Sequence, residues 1–241
     1  MLDKKKRSML FIMSERSFIL RISSPTIKIV MQELIRTKDI PTQVKNQNLV
    51  KRRRRQIADA AVQLFIDRGF HKTTTRQIAR ASGISIGSLY EYFASKEDIL
   101  YMVCESIHAE VELGVSEAMS RSTAGQEALA GVIREYFMVC HRMSDFILLI
   151  YQESQSLPAQ WRKRVLENEL RITGLFVEVL ARLSYSGELP GLEEQDIELA
   201  AHNIVVLGHK WTFRRWYLAQ HYSLEDYIRM QTKFILKMCG K

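Results

Sequence analysis

The sequence predicts an all-α protein: an N-terminal three-helix helix-turn-helix unit followed by a C-terminal helical domain, about nine helices in all. Three observations predict this class. Apolar residues recur at helical spacing from Lys51 onward, and no stretch alternates as a strand does. Only four prolines and eleven glycines interrupt the 241 residues. Capping-box sequences mark helix starts at Thr74, Ser95 and Ser223.

The first predicted helix begins near Lys51 and ends at Gly69. Its apolar residues Ile57, Ala61 and Phe65 are spaced so that they share one face of a helix, which predicts that this face is buried. Gly69 stands where a helix commonly closes in the left-handed conformation.

Two short helices follow the first. Thr74 caps a helix that ends at Ser82 and Gly83, and Gly83 suits a tight turn with positive φ. Ser85 then caps a second short helix that runs to about Phe93. A long helix, a capped short helix, a glycine turn and another capped short helix together predict a helix-turn-helix.

The rest of the chain predicts helices only. Each is supported by apolar periodicity, and most by a cap, a proline or a glycine at one end. Their predicted ranges are 95–119, 125–143, 144–155, 158–183, 193–218 and 224–238.

Charge divides the chain into two parts. Residues 1–96 hold 20 basic and 7 acidic side chains, a net charge of +13, whereas residues 97–241 carry a net charge of −5. A basic end on an acidic body indicates that one end binds a polyanion. A solvated basic tail would explain residues 1–50, at +6, but not residues 51–96, which carry +7 and are patterned to fold.

Several function classes lack support in the sequence. No HExxH, P-loop or Rossmann glycine pattern is present, so we expect no enzyme, no cofactor and no metal site. Cys104, Cys140 and Cys239 are odd in number and far apart, which is typical of reduced thiols in the cytoplasm. No apolar run is long enough for a membrane helix.

The run from Arg52 to Leu100 resembles the DNA-binding domain of the TetR (tetracycline repressor) family. The resemblance rests on the run AVQLFIDRGF, on TTTRQIA, and on SGISIGSLYEYFASKEDIL. It implies a homodimer whose N-terminal helices bind a palindromic operator, and whose C-terminal domain binds a small effector that releases the DNA. The implied domains are a flexible basic extension (1–48), a DNA-binding domain (49–97) and an effector-binding and dimerisation domain (98–241).

The leading interpretation is therefore a cytoplasmic transcriptional repressor. An alternative is an architectural or division-associated DNA-binding protein that has the same helix-turn-helix and no effector. A bound small molecule, or an open apolar cavity in the C-terminal domain, would distinguish the repressor from this alternative.

The resemblance and the local chemistry together predict which residues contact DNA. Gly87 lets the backbone approach the groove, Ser88 can bond a base edge or a phosphate, and Ile86 can contact a thymine methyl group. Tyr90 as a core residue and Ile86 as a turn-packing residue are the alternatives. The predicted set is Thr75, Arg76, Ser85, Ile86, Gly87, Ser88, Tyr90, Tyr92 and Lys96.

The basic run from Lys51 to Arg55 is a separate case. Five consecutive helical residues point in different directions, so these cations cannot all face one partner. Some could reach phosphates or the minor groove as basic arms do, or the run could be a solvated helix start.

An effector pocket is expected between the middle helices, where aromatic and apolar residues supply a suitable lining and arginines could pair with an anionic head group. Each apolar member is also a candidate for simple core packing. The predicted set is Arg134, Phe137, Cys140, Phe146, Tyr151, Trp161, Arg171 and Phe176. The sequence is similar to family members whose effectors are acyl-coenzyme A thioesters. Those thioesters are therefore one candidate effector class, beside aromatic acids, drugs and other lipophiles.

The last two long helices are expected to build a four-helix dimer interface, as the resemblance implies. The predicted interface residues are Val205, Gly208, His209, Phe213, Tyr227 and Phe234.

Overall fold

The computed structural model describes residues 40–121, 125–189 and 192–239. Within these ranges the chain forms nine α-helices, one short 3-10 turn (Ser154–Ser156) and no strand, which confirms the predicted class. The helices are α1 (Gln47–Arg68), α2 (Thr75–Ala81), α3 (Ile86–Tyr92), α4 (Lys96–Arg121), α5 (Gln126–Arg142), α6 (Ser144–Glu153), α7 (Ala159–Tyr185), α8 (Glu194–His221) and α9 (Leu224–Cys239).

Helix α1 begins four residues earlier than predicted. The side chain of Asn46 accepts a hydrogen bond from the Leu49 amide at 3.1 Å and so caps the helix. The predicted inner face is confirmed, because Ile57, Ala61 and Phe65 are all fully buried.

Local caps shape the helix-turn-helix as the sequence predicts. Thr74 and Gln77 form a reciprocal capping box at the start of α2. Gly83 takes a φ of +68°, and the side chain of Ser85 accepts from the Ser88 amide at 3.0 Å. These contacts set the turn and the start of α3 through residues close together in sequence.

The prediction of a flexible extension over residues 1–48 is wrong for its last part. Ile40 is buried, and both Thr42 Oγ1 and the Gln43 amide donate to the carbonyl of Glu91, at 2.9 and 3.3 Å. The segment from residue 40 to residue 44 therefore packs against the C-terminal end of α3. Residues 1–39 lie outside the described part of the chain.

Helices α4 to α9 form the C-terminal body. Helix α4 runs from the helix-turn-helix into this body and packs on α5 and α7, while α8 packs on α5, α6 and α7 and α9 covers α5. The three cysteines are buried and free. Pro158 is the residue before α7 and not its first helical position. Among the described helices none is long and apolar enough to cross a membrane.

Candidate nucleic-acid interface and interior polar cluster

Helices α2 and α3 present one small exposed surface. Arg76 at the start of α2 and Ser85, Ile86 and Gly87 at the start of α3 are exposed, and Ser88 is half-buried. The two short helices contact each other, and α3 itself carries no basic side chain.

Gly87 has no internal reason to be a glycine. A Cβ built at this position would meet only the Oγ of Ser85, at 3.8 Å, which is an ordinary contact. Its φ is not in the left-handed region either. Because a glycine inside a helix costs about 0.5–1 kcal/mol relative to alanine, a benefit outside the folded chain would explain it. Close approach of a partner is such a benefit.

A hydroxyl pair fixes the two helices of this surface to each other. Thr75 Oγ1 lies 3.2 Å from the hydroxyl of Tyr90, so the start of α2 is bonded to the middle of α3. The Tyr90 ring is 48% exposed, which argues against the core interpretation of this residue. At the start of α3, Ser85 already binds the Ser88 amide, so only the remaining N–H groups there are free of a cap.

Two predicted DNA contacts are corrected. Tyr92 was expected to face outward, but its side chain is only 5% exposed because the ring packs into the core of the helix-turn-helix. The ammonium of Lys96 donates to the carbonyls of Phe70 and Thr73, at 2.8 and 3.0 Å, and lies over the Phe70 ring. Lys96 thus uses two of its three donors to close the α1–α2 turn.

The basic run at the start of α1 divides by direction. Lys51 and Arg52 are exposed, but Arg54 is only 1% exposed and is a core residue. Its Nε donates to the carbonyl of Tyr92 at 3.1 Å, and Nη2 donates to the carbonyls of Ile40 and Pro41 at 2.7 and 3.0 Å. A phosphate contact by Arg54 is therefore excluded in this conformation.

Arg54 belongs to a buried network that we call the Arg54 anchor, formed by Arg54, Asp98 and Trp161. The pKa of the Arg54 guanidinium is lowered, because the effect of burial exceeds the opposite effect of the negative charge on Asp98. One oxygen of Asp98 accepts from the Ser95 amide at 2.9 Å and the other from the indole N–H of Trp161 at 2.9 Å. Trp161, predicted as pocket lining, instead stacks on Tyr101 at 4.1 Å and joins α7 to the start of α4.

A second contact joins the helix-turn-helix to the body on its other side. The carboxylate of Glu153, at the end of α6, accepts from the Phe70 amide at 3.4 Å. The exposed ring of His71 lies 3.1 Å from the hydroxyl of Ser156. These contacts are more exposed than the Arg54 anchor.

The C-terminal body contains a polar cluster, here called the interior cluster, formed by His108, Tyr136, Tyr151, Glu169 and His209. His108, Tyr136 and His209 are buried, Glu169 is half-buried, and Tyr151 is 46% exposed. Tyr151 Oη lies 2.9 Å from Nδ1 of His209, whose Nε2 lies 3.0 Å from the Tyr136 hydroxyl. Glu169 Oε2 lies 3.3 Å from Nε2 of His108, and Glu169 Oε1 lies 3.7 Å from Nδ1 of His209. Five helices, α4 to α8, supply these side chains.

The cluster holds an ionised carboxylate beside a neutral imidazole. Burial lowers the pKa of His209, although the Glu169 charge opposes this. Burial raises the pKa of Glu169, but the hydrogen bond from His108 and the neighbouring charges outweigh it and the net pKa is lowered. Burial also raises the pKa of Tyr136 well above its usual value, so the phenol stays protonated.

A small cavity adjoins the cluster. Its volume is about 20 Å³, and its walls combine the polar groups with isoleucine and valine side chains. The lining residues are Ile107, His108, Val111, Ile147, Ile150, Tyr151, Glu169, Ile172 and His209. Nδ1 of His108 is buried and has no hydrogen-bond partner among the described residues. An unsatisfied polar atom of this kind is costly, and a ligand that bonds it would recover that cost.

The predicted pocket residues do not form one site. Tyr151 is the member that lines the interior cavity. The buried members Phe137, Cys140, Phe146 and Phe176 are core residues, as the alternative interpretation had it. The arginines face acids: Arg134 binds Glu225 through both of its terminal nitrogens, with Nη2 at 2.7 Å from Oε1, and Arg171 Nε lies 3.5 Å from Glu112.

Arg134 instead lines a surface groove between α5 and α9, with a volume of about 550 Å³. Sequence reasoning missed His108 and Glu169 as interior residues. The available signal was helical spacing, because residues three or four positions from His108 and Glu169 include Val111, Val165 and Ile172, which are apolar.

The predicted dimer residues divide into two groups. Val205, Gly208 and His209 are buried within the subunit, which contradicts their assignment to the interface. The reason for Gly208 is close packing, since a Cβ there would lie 2.6 Å from Tyr136 Cε1. Tyr227 is also buried, and its hydroxyl donates to a carbonyl of α8.

Phe213 and Phe234 are exposed, as the interface prediction requires, at 36% and 60%. They belong to larger apolar faces that sequence reasoning missed. On α8, Leu199, Val206 and Phe213 recur every seven residues and are all exposed. The whole exposed apolar set on the two helices is Leu199, Val206, Phe213, Trp216, Tyr217, Met230 and Phe234.

Comparison with known proteins follows this geometry. The sequence pattern of the family described as "Bacterial regulatory proteins, tetR family" matches residues 57–101, which span most of α1, all of α2 and α3, and the start of α4. The chain is 29% identical over 185 residues to the HTH-type transcriptional regulator HbdR of Aromatoleum sp. (strain CIB), covering 77% of this chain and 80% of that protein.

Solved structures share the fold. A bacterial regulatory protein of the tetR family from Rhodococcus RHA1 aligns with a TM-score of 0.67 at 22% identity, over 78% of this chain and 97% of the other. AibR, solved in complex with isovaleryl coenzyme A and operator DNA, aligns with a TM-score of 0.63 at 20% identity, over 76% and 97%.

Proposed function

The chain belongs to the TetR family of bacterial regulatory proteins, and we propose that it is a repressor that binds a palindromic operator as a homodimer and is released by a small effector. The observation that carries the proposal is the exposed surface of α2 and α3. The exposed residues at the start of α3 are small or apolar and carry no charge. No contact or backbone angle within the chain requires glycine at position 87. Exposed cations lie on the same three-helix unit.

Each part of that surface has a role in binding DNA. The start of α3 enters the major groove, where Gly87 allows close backbone approach and Ile86 contacts a thymine methyl group. Arg76 and Ser88 bond base edges, while the hydroxyls of Thr75 and Tyr90 bond phosphates. The nonspecific attraction comes from the exposed cations around this surface, which are Lys51, Arg52, Lys72, Arg76 and Arg80.

The exposed apolar faces of α8 and α9 support the homodimer. A seven-residue apolar repeat on one helix beside an apolar face on the next fits a four-helix interface with a second copy. A two-fold axis through this interface sets two copies of α3 in the same relation, which is why a palindromic operator is proposed.

The interior cluster is the proposed effector site. Its cavity lies among the helices of the body, its walls combine isoleucine and valine side chains with polar groups, and His108 offers an unused polar atom. The Glu169 carboxylate repels anions, so for an acyl-coenzyme A effector only the acyl part would reach the cluster, and the phosphates would lie outside it. AibR, a structural relative solved with isovaleryl coenzyme A, supports this class of effector.

Selection of bound duplexes from a random DNA pool tests the DNA-binding function. We expect a palindromic sequence to emerge, and log K for that duplex to fall linearly with log salt, by about 0.9 for each phosphate neutralised. A pool that yields no enriched palindrome, or binding that does not change with salt, would contradict the proposal.

Thermal unfolding with a panel of acyl-coenzyme A thioesters of increasing chain length tests the effector site. We expect one range of chain lengths to raise the unfolding temperature and to release the selected duplex. Glu169→Gln should change which thioester does so, whereas Glu112→Gln, an exposed pair partner of Arg171, should not. An identical ranking in both variants would remove the interior cluster from the effector site.

A further inference from the structure

The two ends of the recognition helix α3 are held in different ways. Its N-terminal end is closed by its own serine cap. At the C-terminal end, the carbonyl of Glu91 accepts from Thr42 and Gln43, and the carbonyl of Tyr92 accepts from Arg54. The position of this end therefore depends on groups outside α2 and α3.

The start of α4, which follows α3 directly, is in turn held by the C-terminal body. The negative charge of buried Asp98, in the first turn of α4, acts on the buried Arg54 guanidinium and opposes the lowering of its pKa by burial. Asp98 is fixed by two hydrogen bonds, one from the Ser95 amide and one from the indole of Trp161. Trp161 lies on α7 and is fixed by its stacking on Tyr101. Ser95 lies two residues beyond Phe93, the C-cap of α3, so the contacts from α7 reach the chain directly after the recognition helix ends.

We propose that Trp161 and Asp98 are positioning residues for DNA binding, through which the C-terminal body sets the direction of the recognition helix. The inference rests on the proposed DNA-binding function and adds the residues whose contacts control it. Helix α3 has seven residues, so a shift of its C-terminal end rotates the whole helix. Base contacts tolerate only a few tenths of an ångström, since hydrogen bonds lie within about 2.7–3.2 Å.

The same geometry gives the segment from residue 40 to residue 44 a function. Arg54 donates to the carbonyls of Ile40 and Pro41 as well as to Tyr92, so one guanidinium joins this segment to α3. This segment thus lies beside the C-terminal end of the recognition helix. Its attachment there is a consequence of the Arg54 anchor.

The test removes one hydrogen bond. Trp161→Phe keeps an aromatic ring to stack on Tyr101 and deletes the N–H that donates to Asp98. Trp211→Phe is the matched control, because its indole is equally buried and donates to His141 at 2.9 Å within the body, away from the helix-turn-helix. Each full-length variant is measured for affinity to the selected duplex, without effector, and for hydrogen exchange of the Phe93 amide, which donates to the Leu89 carbonyl in the last turn of α3.

We expect Trp161→Phe to lower duplex affinity roughly three- to thirtyfold and to speed exchange at Phe93, while Trp211→Phe changes neither. Equal losses in the two variants, or unchanged exchange and affinity in Trp161→Phe, would overturn the proposal. If the wild-type protein binds no duplex, the proposed function fails, and the exchange comparison still decides whether the anchor positions α3. Asp98→Asn, which keeps the shape and removes the charge, should speed exchange in the same way.

Discussion

The molecule contains two polar networks that each hold a charge. They differ in whether their buried polar groups have hydrogen-bond partners. In the Arg54 anchor, the guanidinium donates to backbone carbonyls, and the Asp98 carboxylate accepts from a backbone amide and an indole. In the interior cluster, the carboxylate of Glu169 lies beside two histidines, a small cavity adjoins it, and His108 keeps an unused nitrogen.

The difference indicates two kinds of function. Buried charged groups whose hydrogen bonds are satisfied hold their surroundings in one arrangement, and removing one of them is costly. A cluster that leaves a buried polar atom unsatisfied next to a cavity has capacity to bind something else. We therefore assign the Arg54 anchor to the joint between the helix-turn-helix and the body, and the interior cluster to the effector. The predictions below test that division, from the largest effect to the smallest.

Removal of the guanidinium should have the largest effect. Arg54→Met leaves three backbone carbonyls without their donor and removes the positive charge that acts on buried Asp98, and we expect a loss of about 3–5 kcal/mol in the free energy of unfolding. Arg52→Met is the control, since Arg52 is two residues away in the same basic run and is exposed. It should cost less than about 0.5 kcal/mol by denaturant unfolding. Equal losses would mean that the anchor contributes no more than a surface arginine.

A methyl group beside the interior cluster should have a smaller effect. Gly208→Ala places a Cβ 2.6 Å from Tyr136 Cε1 and 3.1 Å from Cys140 Sγ, and both side chains are fully buried. We expect a loss of about 1–3 kcal/mol from overpacking, measured by thermal or denaturant unfolding. The dimer should persist in sedimentation, because this residue faces its own subunit. A variant that is stable but monomeric would return Gly208 to the interface.

Acidification should weaken the interior cluster. The pKa of His209 is lowered in the folded state. Below the ordinary pKa of about 6.5 the unfolded chain therefore binds more protons than the folded chain, and stability decreases as the pH is lowered. One such group contributes at most about 1.4 kcal/mol per pH unit. His209→Gln should therefore flatten the stability profile between pH 7 and 5, whereas His202→Gln, on the exposed side of α8, should not.

The pH profile has one other contributor to allow for. The pKa of His141 is lowered by burial and by nearby arginines, so a slope should remain in His209→Gln. The pKa of Glu169 is also lowered, and its contribution is lost only at a lower pH than this window. A profile that His209→Gln leaves unchanged would contradict a neutral, buried imidazole.

Local sequence was sufficient to predict the helices, because caps and glycines act on residues close to them in the chain. Thr74, Gly83 and Ser85 each have the conformation that the sequence predicts. The exposed start of α3 was predictable for the same reason. The cap at Asn46 was not predicted, although asparagine is a good N-cap, because the start of α1 was predicted at the basic run that begins with Lys51.

The buried networks were not predictable, because they depend on residues far apart in sequence. Helical spacing places Arg54 on the same face as Ile57 and Ala61. Only the fold shows that its guanidinium there bonds carbonyls of α3 and of the segment from residue 40 to residue 44. The same applies to α8, which has apolar residues on two faces. Sequence spacing identifies both faces, but only packing shows that Gly208 faces inward and Phe213 outward.

The most direct test of the central claim, that the exposed start of α3 enters DNA, is duplex affinity of Gly87→Ala measured beside its stability. A Cβ at this position meets only one protein atom, at 3.8 Å. We predict unchanged or slightly higher stability, since alanine favours a helix by about 0.5–1 kcal/mol, together with a loss of affinity for the selected duplex of about tenfold, or 1.4 kcal/mol. Full affinity in a stable Gly87→Ala protein would show that DNA does not approach this helix, and would contradict the account.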